Sequence, residues 1–282
     1  MALFLILGGT GKVGRRLGTR LASLGHTARV ASRSSGDVRF DWHDASTYAD
    51  AVRDVEGIFI VGPGSATDWS ALLARLLAAA VDAGVRRVVL LSARGVEFLP
   101  DGVVARAEQT LAAGGIPWTI LRPTHFAQNF SEAMFVPEHG RIHAPVGEAR
   151  HPFIDVRDIA DVAASILVEA GWEGEIVELS GPRALGFGEA AAVLARARGE
   201  QVEYVTDDRD AHVRRLRESG APDTYITWRM AMLDGIAGGR DEYLSDGVDR
   251  VLGRGATTFE RWAQEELAPE ARASTMAAAA GR

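Results

Sequence analysis

The sequence predicts an α/β fold: a doubly wound parallel sheet carrying a smaller mixed α/β lobe at its C-terminal side. Three observations predict it. Short apolar runs alternate with helical patterns through the first half, a glycine-dense turn follows the first run, and the alternation loosens after Pro123. Strands separated by helices pair in parallel through right-handed crossovers.

Taken in order, residues 2–7 form an uninterrupted apolar run ending at Gly8, as expected of a strand buried on both faces. Val13, Leu17, Leu21 and Leu24 then recur at helical spacing, closed by Gly25. Strands are expected over 27–31, 38–40, 58–61, 87–91 and 118–121, and helices over 68–83 and 103–113. Beyond them, 126–135 reads as a helix, 137–152 as loop, 159–169 as a helix and 176–179 as a strand. A helix over 188–198 and a strand over 202–205 follow, and 207–267 is mostly helical. These patterns divide the chain into a cofactor domain over 1–125, a lobe over 126–268 whose elements partly rejoin the sheet, and a tail over 269–282. The tail has no periodic apolar face and is expected to be disordered.

Composition narrows the function. The 282 residues carry a net charge of −7 without a long single-sign run, which offers no basic footprint for nucleic acid. With no cysteine, disulfides, thiolate metal sites and cysteine nucleophiles are excluded. No apolar run approaches the ~20 residues that span a bilayer, and the apolar start lacks the basic flank of a signal peptide. The expectation is a cytoplasmic protein, a monomer or homodimer acting on a small molecule, with no nucleic-acid or membrane partner.

Gly8, Gly11 and Gly14 stand in a G-x-x-G-x-x-G array between a buried strand and an amphipathic helix. That context marks a dinucleotide turn, in which glycines admit the pyrophosphate and the helix N-terminus faces it. Thr10, Lys12 and Val13 belong to the same turn; Lys12 either contacts phosphate or is simply solvated. The end of the second strand reads Ser32-Arg33-Ser34, where an NAD site usually places an acid. A guanidinium with two hydroxyls suits the 2′-phosphate of NADP(H). Asp41 and Trp42, after the third strand, are expected at the adenine edge, with Asp41 alternatively a local turn cap. Gly62 and Pro63 would pass beneath the middle of the cofactor.

With these residues in view, the segments LGGTGKVG, ASRSS, RFDWHD, ILRPTHFAQNF and FIDVRDIADVAA resemble the NmrA-like atypical short-chain dehydrogenase/reductases, over roughly residues 2–265. RFDWHD and ELSGPRALGFGEAAAVL look most like the branch of ergot-alkaloid-type and quinone-reductase-like proteins. The resemblance implies a Rossmann-like, NADP-binding domain with a C-terminal substrate lobe. It also spans true reductases and regulators without chemistry.

The Tyr-x-x-x-Lys acid of most short-chain dehydrogenases is missing: no Tyr lies between Tyr48 and Tyr204, and the one lysine is Lys12. Ser92 matches the place of the family's active-site serine and either bonds a substrate oxygen or caps its strand. His125 is the nearby group with a pKa in a useful range, as a general acid or as a packed wall residue. Pro123 would support the carboxamide end of the cofactor. Thr124, Phe126, Asn129, Phe130 and Trp228, with Phe135, are expected to line the substrate space. Asp155 and Asp158, three apart, suggest a general acid–base pair, but their place at a helix start lets N-capping explain both. His139 and His143 flank a glycine in a proline-bounded segment, so no metal site is expected. Arg214, Arg215 and Arg217 form a solvated face or border an anionic substrate. The reading is an NADPH-dependent reductase of a small conjugated electrophile, an iminium, quinone or enone; the alternative is a non-catalytic NADP(H)-binding redox sensor.

Overall fold

In the computed structural model, residues 1–64 and 67–268 are described; the tail expected over 269–282 lies outside them. The strand β1 (Leu3–Leu7) pairs in parallel with β2 (Thr27–Ser32) on one side and β4 (Gly57–Val61) on the other, Leu7 opposite Ala31 and Ile60. The sheet continues through β3 (Val38–Arg39), β5 (Arg87–Leu91), β6 (Trp118–Pro123) and β9 (Glu175–Leu179). Its order is β3-β2-β1-β4-β5-β6-β9, parallel throughout. The chain reverses direction across the sheet between β1 and β4, and ligands of such folds bind outside the strand ends at that point.

The pleat explains why β1 is apolar at every position. Leu5 and Leu7 point into one core, with Leu73, Leu76 and Leu77 of α3 (Ser70–Asp82), Ala51 of α2 (Tyr48–Val52) and Leu111 of α4 (Val103–Ala112). Phe4 and Ile6 point into the other, against Leu17 and Leu21 of α1 (Lys12–Ser23) and Ile159 and Ala163 of α6 (Val156–Val168). α10 (Gly247–Leu252) adds Val248 to that second face. A strand covered on both faces has no side on which a polar residue is solvated.

The remaining elements form a lobe with its own aromatic core. β7 (Arg141–Ala144) pairs in parallel with β11 (Glu203–Thr206), and β8 (Arg150–His151) antiparallel with β10 (Leu185–Gly186). Around them pack α7 (Phe187–Arg198), α8 (Arg209–Glu218), α9 (Asp223–Ala237) and α11 (Phe259–Leu267). Phe130, Phe135, Phe153, Phe187 and Phe259 meet edge-on or tilted in the middle.

Two expectations are corrected here. The helix read over 126–135 is a single turn, α5 (Asn129–Glu132), because Phe126 instead bridges to Ile154. The loop read over 137–152 holds β7 and β8, whose buried Ile142 and Ala144 alternate with less buried neighbours. Among the described residues no helix is long and apolar enough to cross a membrane.

Candidate functional site

The glycine turn joins β1 to α1 at the switch point of the sheet. Gly8 has φ +80°, and a Cβ there would lie 2.8 Å from Val61. Gly11 donates its N–H to the Gly8 carbonyl oxygen at 3.0 Å and is the N-cap of α1. Gly14 packs so closely that a Cβ would sit 2.3 Å from the Gly8 oxygen, so the first turn of α1 lies directly on the loop. No side chain caps α1, and its first turn carries no acid. Its opening N–H groups and positive dipole end are left for an anion. Thr10 and Gly11 are exposed and Lys12 is half-buried, while Val13 turns into the core. These residues fit a pyrophosphate.

At the end of β2 the Ser32 hydroxyl accepts from the Ser34 and Ser35 N–H groups at 3.2 and 2.7 Å, which fixes the loop. Arg33 is exposed and makes no hydrogen bond or ion pair among the described residues. A free guanidinium on an ordered turn is suited to a phosphate. Asp41 Oδ1 accepts from the His43 N–H at 3.0 Å, the local cap weighed against the adenine contact. Trp42 is half-buried, edge-on to Phe40 at 5.2 Å and to Trp69 at 5.3 Å. Gly62 follows β4 with Trp69 packed close against it, and Pro63 is exposed.

Across the switch point, Ser92 follows β5 and donates its hydroxyl to Glu108 of α4. Arg122 of β6 grips the same carboxylate with Nε at 3.0 Å and Nη2 at 2.6 Å. The expected donor to a substrate oxygen is thus already committed, and Ser92 Oγ offers lone pairs rather than a proton.

His125 stands edge-on to His151 at 5.0 Å and tilted against Phe135 at 5.8 Å. Burial, reinforced by the Arg229 charge, pushes its pKa down to about 4. The expectation of a near-neutral pKa is therefore corrected: the ring is an uncharged imidazole at pH 7. His151 has no exposed surface; its Nε2 accepts the His125 N–H at 3.0 Å, which places its own proton on Nδ1, 3.3 Å from Asp241. Burial lowers the His151 pKa well below the ordinary value and pushes Asp241 up to about 6, against the pull of Arg94. Arg94 donates Nε to Asp241 and Nη2 to the carbonyl oxygens of Asp241 and Tyr243, at 3.0 and 2.7 Å. Sequence reasoning missed this cluster, because residues 94, 151 and 241 share no local pattern. Donor atoms of His125, His151 and Asp241 lie within 4.8 Å of one another. A metal ion there would stand beside the Arg94 guanidinium, an unfavourable arrangement.

The expected substrate wall is partly core. Thr124 donates its hydroxyl to the Pro152 oxygen at 2.6 Å and is buried. Phe130 is 0% exposed and Phe135 1%, both inside the aromatic cluster, so they support the lobe rather than face an open space. Asn129 is buried, Phe126 and Trp228 are half-buried, Trp228 lies beside Tyr225, and Pro123 ends β6 opposite Leu179. Asp155 is the N-cap of α6, accepting from the Arg157 N–H at 2.9 Å, as expected. Asp158 does not cap: it holds Arg254 at 2.7 Å and the Thr257 N–H at 2.6 Å, tying a later loop to α6.

Comparison with known proteins adds independent support. The NAD(P)H-binding family profile matches residues 8–170. The chain is 33% identical to the oxidoreductase YesF of Bacillus subtilis, covering 94% of this chain and 95% of that one. It is 30% identical to an NAD(P)H azoreductase of Xenophilus azovorans, covering 94% and 98%. The structure of the NADPH-dependent quinone oxidoreductase QOR2 of Escherichia coli, complexed with NADPH, superposes with a TM-score of 0.77 at 23% identity, over 93% of this chain and 99% of that one. The fold is also that of NmrA, a structure matched with a TM-score of 0.75 at 18% identity. The chain belongs to the NAD(P)H-binding family and is an NAD(P)H-dependent oxidoreductase.

Proposed function

We propose that the protein is an NADPH-preferring reductase of small conjugated electrophiles: iminium ions, quinones or enones. NADPH supplies a hydride when bound. The first N–H groups of α1 and the Gly8–Gly14 turn hold the pyrophosphate, and Arg33 with the serine hydroxyls beside it takes the 2′-phosphate. Ser92, Thr124, Phe126 and His125 follow β5 and β6 on the far side of the switch point, so this is where the electrophile belongs.

One observation carries the choice of substrate. The two groups placed to give a proton are unsuited to it, since Ser92 donates to Glu108 and His125 is an uncharged imidazole. Rate enhancement then comes from holding the acceptor carbon against the hydride donor, at about 3–3.5 Å in a reactive geometry. An electron-poor acceptor tolerates this; a plain ketone, which must become an alkoxide, does not. General acid help is worth about 10²–10⁴-fold, so ketones should trail conjugated electrophiles by that margin. NADPH oxidation against a panel of iminium, quinone, enone and ketone compounds tests the reading. Ketones matching the conjugated acceptors would refute it, and silence across the panel with tight nucleotide binding would favour the sensor.

A further inference from the structure

A cavity of about 240 Å³ opens in the second lobe between the 133–143 segment, α8 and α9. Arg229 of α9 lines it and is only 7% exposed. Its Nη2 donates to the Met134 oxygen at 3.1 Å and Nη1 to the Tyr225 hydroxyl at 3.3 Å. Its Nε is buried without a partner, and no carboxylate among the described residues pairs with this guanidinium. The other deeply buried guanidinium, Arg94, has Asp241. Burying a cation is tolerated when a counter-ion or full hydrogen bonding repays the lost hydration, and Arg229 has neither.

A second orphan faces the same space. His212 of α8 is 3% exposed, gives its Nδ1 to Asp207 at 2.8 Å, and leaves Nε2 buried with no partner. Asp207 is fully used, its two oxygens also holding His143 at 3.1 Å and Arg215 at 3.1 and 3.2 Å. Exposed Arg141, whose guanidinium has no partner among the described residues, completes the basic lining, and Glu138 is the acid among the lining residues.

We infer that this cavity binds a small anion carrying one carboxylate or phosphate group, with Arg229 as its counter-ion and His212 as a second donor. The volume suits a ligand no larger than a small aromatic acid or a compact phosphate monoester. The Phe135 ring stands between this cavity and His125, 5.8 Å from the one ring centre and 5.9 Å from Arg229 Cζ. The inference does not depend on which electrophile is reduced.

Binding should also take up a proton. With Nδ1–H donated to Asp207, Nε2 carries a lone pair, and burial with the Arg229 and Arg215 charges holds the His212 pKa below its ordinary value. An anion at Nε2 offsets those charges and favours imidazolium, whose second N–H then donates to the ligand. Arg215, Arg229, His143, Arg141 and Glu138 are the other charged or titratable groups lining this space, and Asp207 faces His212 from its Nδ1 side.

Calorimetric titration of the NADPH-saturated protein tests this, because the nucleotide closes the glycine turn to the added ions. Benzoate and inorganic phosphate are titrated separately. Binding of benzoate alone assigns a carboxylate pocket, of phosphate alone a phosphate pocket, and of both an unselective one. Affinity is expected in the millimolar range or tighter, at least about tenfold weaker in Arg229→Met, and intermediate in Arg229→Lys. Benzoate, ionised throughout, should bind more tightly as pH is lowered from about 8 to about 6, and His212→Asn should flatten that dependence. Arg229→Met should melt no lower than the parent without anion, since it removes an uncompensated buried charge. If that variant fails to fold, Arg229→Lys and His212→Asn carry the test. Binding of neither ion, or affinities unchanged in the substituted proteins, would overturn the inference whether or not the protein turns over.

Discussion

At the end of β2 an arginine with no side-chain partner among the described residues stands on a turn fixed by the Ser32 hydroxyl. A charge-assisted hydrogen bond to the 2′-phosphate is worth about 1.5–3 kcal/mol. Arg33→Ala should therefore weaken NADPH binding by about 10- to 100-fold and leave NADH binding unchanged, measured by calorimetry; equal losses for both would remove the assignment. At the ends of β5 and β6, Ser92→Ala and His125→Ala should each lower kcat/KM by less than about 100-fold, because neither supplies a proton. Arg33 and the glycines were legible in the sequence because their geometry is local, a few residues in a row after a buried strand. The partner of Ser92 was not: Glu108 comes from a helix sixteen residues on. The state of His125 depends on burial by residues from both halves of the chain.

Asp155 shows how one side chain sets an element. It caps α6 through the Arg157 N–H, accepts from Gln128 Nε2 at 2.9 Å, and pairs with the Arg157 guanidinium at Nε, 2.7 Å away. Asp155→Ala leaves the start of α6 uncapped and takes one partner from Gln128, whose Nε2 keeps Glu266 at 3.3 Å. The expected cost is about 1–3 kcal/mol, a cap plus one lost hydrogen bond, read as a lower urea midpoint with Asp155→Asn intermediate. A loss below about 0.5 kcal/mol would mean α6 is held by its apolar face alone. Long amphipathic helices and all-apolar strands were readable because their period repeats several times. The two-residue strands β8 and β10 repeat nothing, and β7 shows its alternation over only four residues between prolines. Pairing with chain far along the sequence creates these strands, so local pattern could not reveal them.

For the molecule as a whole, the buried cluster behind His125 links folding to pH. Histidines with depressed folded pKa values stabilise the fold above about pH 6.5 and lose that contribution as pH falls through the folded value, here about 4 for His125, with His151 shifted the same way. Asp241, raised to about 6, acts oppositely and favours the folded state on acidification. Two histidines against one aspartate leave about one proton in favour of the unfolded chain. Stability should fall by about 1.4 kcal/mol per pH unit between about pH 6 and pH 4 from this cluster. Urea denaturation at stepped pH checks it, with a shallower slope expected in His125→Asn; equal slopes would place the titration elsewhere. The parallel, doubly wound character of the sheet was legible at this scale because strands alternating with helices pair in parallel through right-handed crossovers. How the second lobe closes over its aromatic core rests on contacts between distant segments.

The claim that hydride transfer proceeds without a proton from the protein is tested most directly by isotope effects in a single turnover. NADPH deuterated at the transferred position is mixed with the protein and the best conjugated acceptor, in ordinary and in heavy water. The account predicts slower oxidation with the deuterated cofactor and no solvent effect on that same step. A solvent isotope effect of comparable size on hydride transfer, abolished by His125→Ala or Ser92→Ala, would contradict it.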